Sequence, residues 1–129
     1  MKILGIGVDI VDNSRIKKSL KNNLFIKRIF TTKEIYIGKK IKDKNSYYAK
    51  RFAAKEAFSK ALGTGIRKGV NLKNIEISNN FHGKPSIQLR GELANYLKKK
   101  VKNKKYNIFL SLSDDKPWAQ ATVIISYDK

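Results

Sequence analysis

Apolar positions recur along this chain with two alternating periods. From Lys2 to Val11 the period is two: Ile6, Val8 and Ile10 fall on one face of a strand, and Gly5, Gly7 and Asp9 on the other. Between Arg51 and Gly63 the period becomes helical. Ala54, Ala57, Phe58, Ala61 and Leu62 fall at i, i+3, i+4, i+7 and i+8 and make one apolar stripe. Asp12-Asn13-Ser14 supplies N-cap candidates for a helix from about Arg15, with Ile16, Leu20 and Leu24 as its seam. Thr31 and Glu34 have the spacing of a capping box, which predicts a short helix carrying Ile35, Tyr36 and Ile37. Lys39 to Asn45 reads as a polar connection, and Ser46 as the cap of the long helix that Gly63-Thr64-Gly65 ends.

Beyond a loop over Gly65 to Gly69, Leu72 to Ser78 and Pro85 to Arg90 read as strands joined by a turn at Asn79 to Lys84. Glu92 to Val101 is amphipathic on Leu93, Leu97 and Val101. Tyr106 to Ser113 and Trp118 to Tyr127 are strands across a turn at Asp114 to Pro117. Strands that follow one another by hairpins, with helices grouped between them, predict an α+β fold with an antiparallel sheet.

Composition narrows the chemistry. The 129 residues are 41% hydrophobic, which suits one domain with its own core. No cysteine is present, so disulfides and thiolate metal sites are excluded. The apolar run at Met1 to Ile10 carries Asp9 and is too short for a signal peptide or a membrane span, so a cytoplasmic protein is expected. The net charge of +19 favours polyanionic partners: nucleic acid, an anionic membrane, phosphorylated small molecules or an acidic protein. Much of it is lysine accompanied by Asn and Ile, a bias that codon supply also produces, so charge alone does not choose among them.

Two carboxylates stand apart from the surface charge. Asp9 shares a strand face with two glycines, which leaves room for something to approach the backbone. Glu56 lies in mid-helix, one turn before Lys60. That pair reads either as a surface ion pair worth a few tenths of a kcal/mol or as a carboxylate and an amine aimed at one charged ligand. Two carboxylates suit Mg²⁺ when phosphate oxygens and water complete its octahedron, and the lack of a His/Cys cluster argues against zinc. Arg51, Lys55, Arg67, Lys68 and Lys84 are candidates for holding further phosphates. The single histidine, His82, lies in a turn and receives no catalytic role. No Walker loop, dinucleotide fingerprint or Ser-His-Asp set is present. The residues point to metal-assisted chemistry on a phosphorylated substrate.

The blocks that carry this chemistry resemble a known family. Gly5-Ile6-Gly7-Val8-Asp9-Ile10-Val11 with Arg15-Ile16, then Phe30-Thr31-Thr32-Lys33-Glu34-Ile35, then Arg51 to Gly65, are similar to successive blocks of the holo-acyl-carrier-protein synthases. These are small bacterial 4′-phosphopantetheinyl transferases. Gly83-Lys84-Pro85, Ser111-Leu112-Ser113 and Ala119-Gln120-Ala121 match the later blocks in order.

The resemblance implies one transferase domain over 1–129, with an antiparallel sheet packed against a long central helix. It implies transfer of the 4′-phosphopantetheine of coenzyme A to a serine of apo-acyl carrier protein, in fatty acid biosynthesis, with release of adenosine 3′,5′-bisphosphate. By position, Asp9 and Glu56 would ligate Mg²⁺, and Glu56 would help deprotonate the serine. Lys60 would meet the charge on the departing phosphate. Arg51, Lys60, Gly63, Lys84 and Pro85 would hold coenzyme A, and Arg15, Lys18, Lys21 and Arg28 would receive the carrier. A homotrimer with active sites between subunits is implied, with neither nucleic acid nor membrane as partner.

Three positions depart from the family. Asp114 stands where a histidine commonly follows Ser-x-Ser, and a carboxylate there would repel a phosphate. Asp12 replaces a usual Glu, and Asn13 follows it. Two other readings remain: a basic nucleic-acid-binding module, favoured by charge but lacking a stacking motif, and a catalytically impaired relative that only binds carrier protein.

Overall fold

The computed structural model describes residues 1–63 and 70–129. The elements run β1 (Lys2–Asp12), α1 (Asn13–Ser19), α2 (Asn23–Ile29), α3 (Thr32–Gly38), α4 (Lys44–Leu62), β2 (Ile75–Asn79), β3 (Pro85–Leu89), α5 (Gly91–Lys100), β4 (Tyr106–Asp115) and β5 (Trp118–Tyr127). Strands β1, β5 and β4 form an antiparallel sheet in that order, and β2 with β3 forms a separate hairpin. The fold is α+β, an antiparallel sheet against a long central helix. The Gly65–Gly69 loop, with Arg67 and Lys68, lies outside the described residues.

Helix α4 is the centre of the core. Its stripe Ala54, Ala57, Phe58, Ala61 and Leu62 is buried, and so are Ala49 and Ala53. Strand β5 meets it with Ala119, Ala121, Val123 and Ile125, the alternate residues of its inner face. Small residues on both sides bring backbone close to backbone. A methyl group on Gly5 would lie 1.8 Å from the Ala61 carbonyl oxygen, and one on Gly7 would lie 1.9 Å from that of Ala57. The glycine face of β1 is therefore cleared for α4, which occupies the room that the sequence suggested for a ligand. Gly7→Ala is expected to lower the unfolding free energy by about 3 kcal/mol, the upper end of the usual overpacking range. A loss under about 0.5 kcal/mol in urea unfolding would contradict this contact.

Local signals account for the helix boundaries, with two corrections. Asp43, not Ser46, caps α4: its carboxylate accepts from the Ser46 N–H at 3.1 Å. The seam read through Ile16, Leu20 and Leu24 belongs to two helices, because the Asn22 side chain accepts from the Leu24 N–H at 2.9 Å and starts a new one. Leu24 is exposed, and Phe25, Ile26 and Ile29 pack on the core in its place. The Thr31/Glu34 capping box forms as expected, and Asp12 caps α1.

The outer face of the three-stranded sheet is apolar and exposed. Ile6, Val8, Ile10 and Phe109 are between 48% and 61% exposed. Ile6, Ile124 and Phe109 lie side by side across the three strands. No helix of the described residues is long and apolar enough to cross a membrane.

Candidate active site

Past the two glycines, the inner face of β1 continues to Asp9, where α4 presents Glu56 and Lys60. The Lys60 ammonium donates to Asp9 Oδ1 at 3.1 Å and to the Val8 carbonyl at 3.0 Å. The simple surface pair between Glu56 and Lys60 is thus replaced by a link between helix and strand. Both partners keep water contact, with the lysine side chain 55% exposed and that of Asp9 16% exposed, so the pair contributes little to stability.

Glu56 is half-buried. Burial raises its pKa above the ordinary carboxylate range, the charge of Asp9 raises it further, and Lys60 opposes both. Two carboxylates that repel each other, one of them desolvated, form a donor set that fits a hard divalent cation. Among the described residues no group of three or more His, Cys, Asp and Glu gathers, so protein side chains would leave most positions around such an ion open.

Asp9 and Glu56 open into a cavity of about 530 Å³. Arg15 and Lys18 of α1 line its cationic side, and Phe25 and Phe52 its apolar side. These two rings lie 6.0 Å apart. Neither was singled out from sequence, because Phe52 lies off the stripe and Phe25 follows the unforeseen cap at Asn22. Lys21 and Arg28, the other two expected docking residues, are exposed nearby in sequence, just after α1 and within α2.

The remaining expected site residues gather elsewhere. Arg51 and Pro85 line a second cavity of about 560 Å³, together with Lys50, Asn79, Ser113 and Asp114. The two cavities share no lining residue. Arg51 is buried, stacks 3.8 Å over the Tyr47 ring and donates to Asn79 Oδ1 at 2.7 Å. Asp114 accepts from the Ser46 hydroxyl at 2.7 Å and lies 3.8 Å from the Lys50 ammonium. Lys84 is exposed in the β2–β3 turn, where its N–H donates to Asn80 Oδ1. Gly63 closes α4 in the left-handed region, at φ 85°.

Lys55, a candidate phosphate ligand from sequence, belongs to the core. It is fully buried and donates to Glu34 Oε1 at 2.8 Å and to the carbonyls of Leu72 and Ile75. Burial lowers its pKa, and Glu34 works against that shift.

Comparison with known proteins places this geometry. The sequence pattern of the 4′-phosphopantetheinyl transferase superfamily matches residues 5–121. The holo-[acyl-carrier-protein] synthase of Pelagibacter ubique (strain HTCC1062) is 55% identical over 125 residues, covering 97% of this chain and 98% of that protein. That of Bartonella bacilliformis is 48% identical over 126 residues, covering 95% of each. Among solved structures, the holo-[acyl-carrier-protein] synthase of Neisseria meningitidis superposes with a TM-score of 0.87 at 38% identity, covering 96% of this chain and 98% of that one. The Bacillus anthracis enzyme, solved in complex with CoA (3′,5′-ADP), gives a TM-score of 0.80 at 37% identity over the full length of both chains.

Proposed function

We infer, for a chain that belongs to the 4′-phosphopantetheinyl transferase superfamily, the activity of a holo-[acyl-carrier-protein] synthase. It transfers the 4′-phosphopantetheine of coenzyme A to a serine of apo-acyl carrier protein, and its whole length, 1–129, serves as one transferase domain. The observation that carries this reading is the meeting of Asp9, Glu56 and Lys60 at one mouth, with the basic helix α1 beside it.

The reaction needs a nucleophile, a charge-tolerant phosphate site and a stabilised leaving group. The carrier serine oxygen bonds to the phosphorus next to the pantetheine arm, and the P–O bond to the nucleotide breaks. Glu56 is suited to take the serine proton, because burial and the charge of Asp9 make its carboxylate more basic than a free one. Lys60, on the exposed side of Asp9, faces the charge that develops on the departing adenosine 3′,5′-bisphosphate. Asp9 and Glu56 would hold Mg²⁺, which when bound polarises the pyrophosphate and offsets its charge. The experiment is direct: coenzyme A, Mg²⁺ and apo-carrier protein are supplied, and the carrier should gain one phosphopantetheine.

Helix α1 and its continuation are the docking surface for an acidic carrier. Arg15 and Lys18 flank the cavity, and Lys21 and Arg28 extend the positive surface past it. Arg15→Glu with Lys18→Glu should raise KM for the carrier by about tenfold, a loss of ~1.4 kcal/mol in binding. The parent's carrier KM should also rise with salt. A carrier KM indifferent to both would remove the docking assignment.

The catalytic unit is a homotrimer. The exposed side chains of Ile6, Val8, Ile10 and Phe109, with half-buried Ile124 between Ile6 and Phe109, offer a contiguous apolar face for subunit contact. The division of coenzyme A ligands between two separate cavities suits a site completed by a neighbour: Asp9, Glu56 and Lys60 from one copy, Arg51, Lys84 and Pro85 from the next. Sedimentation at micromolar concentration should give three times the 14.8 kDa chain mass. A monomer that transfers at full rate would contradict the shared site. The modified carrier serves fatty acid biosynthesis, and the enzyme works in the cytoplasm.

A further inference from the structure

The densest run of charge in the chain lies away from the site. Lys98, Lys99, Lys100, Lys102, Lys104 and Lys105 put six cations into eight residues, where 29 Lys+Arg in 129 residues would put about two. All six are exposed, and no Asp or Glu occurs between Glu92 and Asp114. None of the six forms an ion pair among the described residues. Local structure gathers them. Helix α5 ends at Lys100, and Lys102 and Asn103 take the left-handed region, at φ 55° and 62°. The Asn103 N–H donates back to the Lys98 carbonyl at 2.8 Å, so the chain folds over the last turn and returns Lys104 and Lys105 beside it. Buried Leu97 and Val101 hold this turn on the core.

Fold stability does not account for the cluster. Cations in a last helical turn offset the helix dipole, but that effect falls off within the turn and does not reach Lys104 and Lys105. Lys102 stands at a left-handed position where glycine or asparagine costs least. The cluster is also remote from the chemistry. Tyr106 and Lys2 both pair with Tyr127 at one end of the sheet. Asp9 pairs with Ala121, six residues along β5 and about 20 Å away. Helix α1, the docking surface for the carrier, starts beyond Asp9.

We propose that this cluster docks the chain on an anionic phospholipid surface, a partner beyond those of the transferase reading. All six residues are lysines, hydrated point charges without the planar fork by which arginine grips a nucleic acid. They do not line the cavities at Asp9, Arg51, Gln88 or Tyr36, so they face a broad surface rather than a groove that would track a strand. A cluster of about four to eight basic residues suits an anionic leaflet. Apolar contact is at hand: Tyr96 of α5 is 43% exposed, and Met1, beside Lys2 at the same end of the sheet, is 76% exposed. Docked this way, the chain leaves Asp9 and α1 free for the carrier.

Sedimentation of the full chain with lipid vesicles tests the proposal. The chain should bind vesicles of about 30% phosphatidylglycerol in phosphatidylcholine, should not bind phosphatidylcholine alone, and should be released by salt. Lys98→Gln, Lys99→Gln, Lys102→Gln and Lys104→Gln combined should weaken that binding by about tenfold or more, while arginine at the same four positions keeps it. Removing as many charges elsewhere, by Lys27→Gln, Lys39→Gln, Lys42→Gln and Lys73→Gln, should leave the binding within about twofold of the parent's. No binding by the parent, equal binding to neutral vesicles, or equal losses in the two glutamine variants overturns the proposal. So does displacement of the bound chain by an unstructured RNA at equal phosphate concentration, which would assign the lysines to nucleic acid instead.

Discussion

Glu56→Gln is expected to lower kcat/KM for carrier modification by about 10³-fold, roughly 4 kcal/mol of transition-state stabilisation, without weakening the fold. Glutamine keeps the shape of the side chain but cannot take the serine proton, and it is a poorer ligand for a divalent cation. The stability half of this expectation follows from charge. Burial and the neighbouring Asp9 raise the Glu56 pKa in the folded chain above its unfolded value. The group therefore favours folding most below its unfolded pKa, and that contribution is lost as pH rises through the raised value. Above that raised value the folded chain keeps an ionised carboxylate where it is disfavoured. In chelator-treated buffer the variant should melt at or above the parent on the alkaline side of the Glu56 titration, and the gap should close as pH falls through it. Catalytic loss with undiminished stability is the signature of a group placed for chemistry at some cost to folding. Parent-like transfer by Glu56→Gln would remove Glu56 from the mechanism.

Glu34→Ala should destabilise the chain by about 3–5 kcal/mol, the usual consequence of stranding one partner of a buried ion pair. Glu34 Oε1 accepts from Lys55 and from the Thr31 N–H, both at 2.8 Å, and Oε2 accepts from the Ile77 N–H at 2.9 Å. One carboxylate thus ties α3, α4 and β2 together, and its removal leaves an ammonium with no access to water. The network continues through Thr31 to Glu76 and on to Arg90. Burial alone would raise the Glu76 pKa, but the bonds from Arg90 and Thr31 outweigh it and lower it. Against a typical total of about 5–15 kcal/mol, the loss should be plain in urea unfolding. The double variant Glu34→Gln with Lys55→Met, which removes the charge of both partners, should recover most of it. A loss under about 1 kcal/mol for Glu34→Ala would mean that the pair is not what holds these elements together.

Sequence reading succeeded where one local signal settled the outcome. The helical stripe of α4, the capping box at Thr31 and the alternation of β4 and β5 each depend on residues close in the chain, and each appears as expected. It fell short where a long-range contact assigned the role. Gly5 and Gly7 signalled a close approach, but only the fold shows that α4 is what approaches. Lys55 was read as a further phosphate ligand and Lys60 as the amine beside Glu56. One is the buried partner of Glu34 and the other the exposed partner of Asp9.

The candidate site follows the same division. Asp9, Glu56 and Lys60 were recognisable from residue type, and the structure brings them together. Arg51 and Pro85, read as lining the nucleotide side of a site between subunits, line a cavity of their own within the single chain, because Arg51 and Glu56 project from different sides of α4. No local pattern could have paired Asp114 with Ser46 and Lys50, which lie more than sixty residues away. The carboxylate that looked repulsive from sequence is a satisfied acceptor.

The central claim is phosphopantetheinyl transfer, and the intact mass of the carrier tests it most directly. The purified chain, incubated with apo-acyl carrier protein, coenzyme A and Mg²⁺, should convert the carrier to a species heavier by one phosphopantetheine, located on a serine. Removing Mg²⁺ with a chelator, or substituting Glu56→Gln, should leave the carrier at its apo mass over the same interval. A carrier that stays at its apo mass with excess parent chain and Mg²⁺ present would contradict the account.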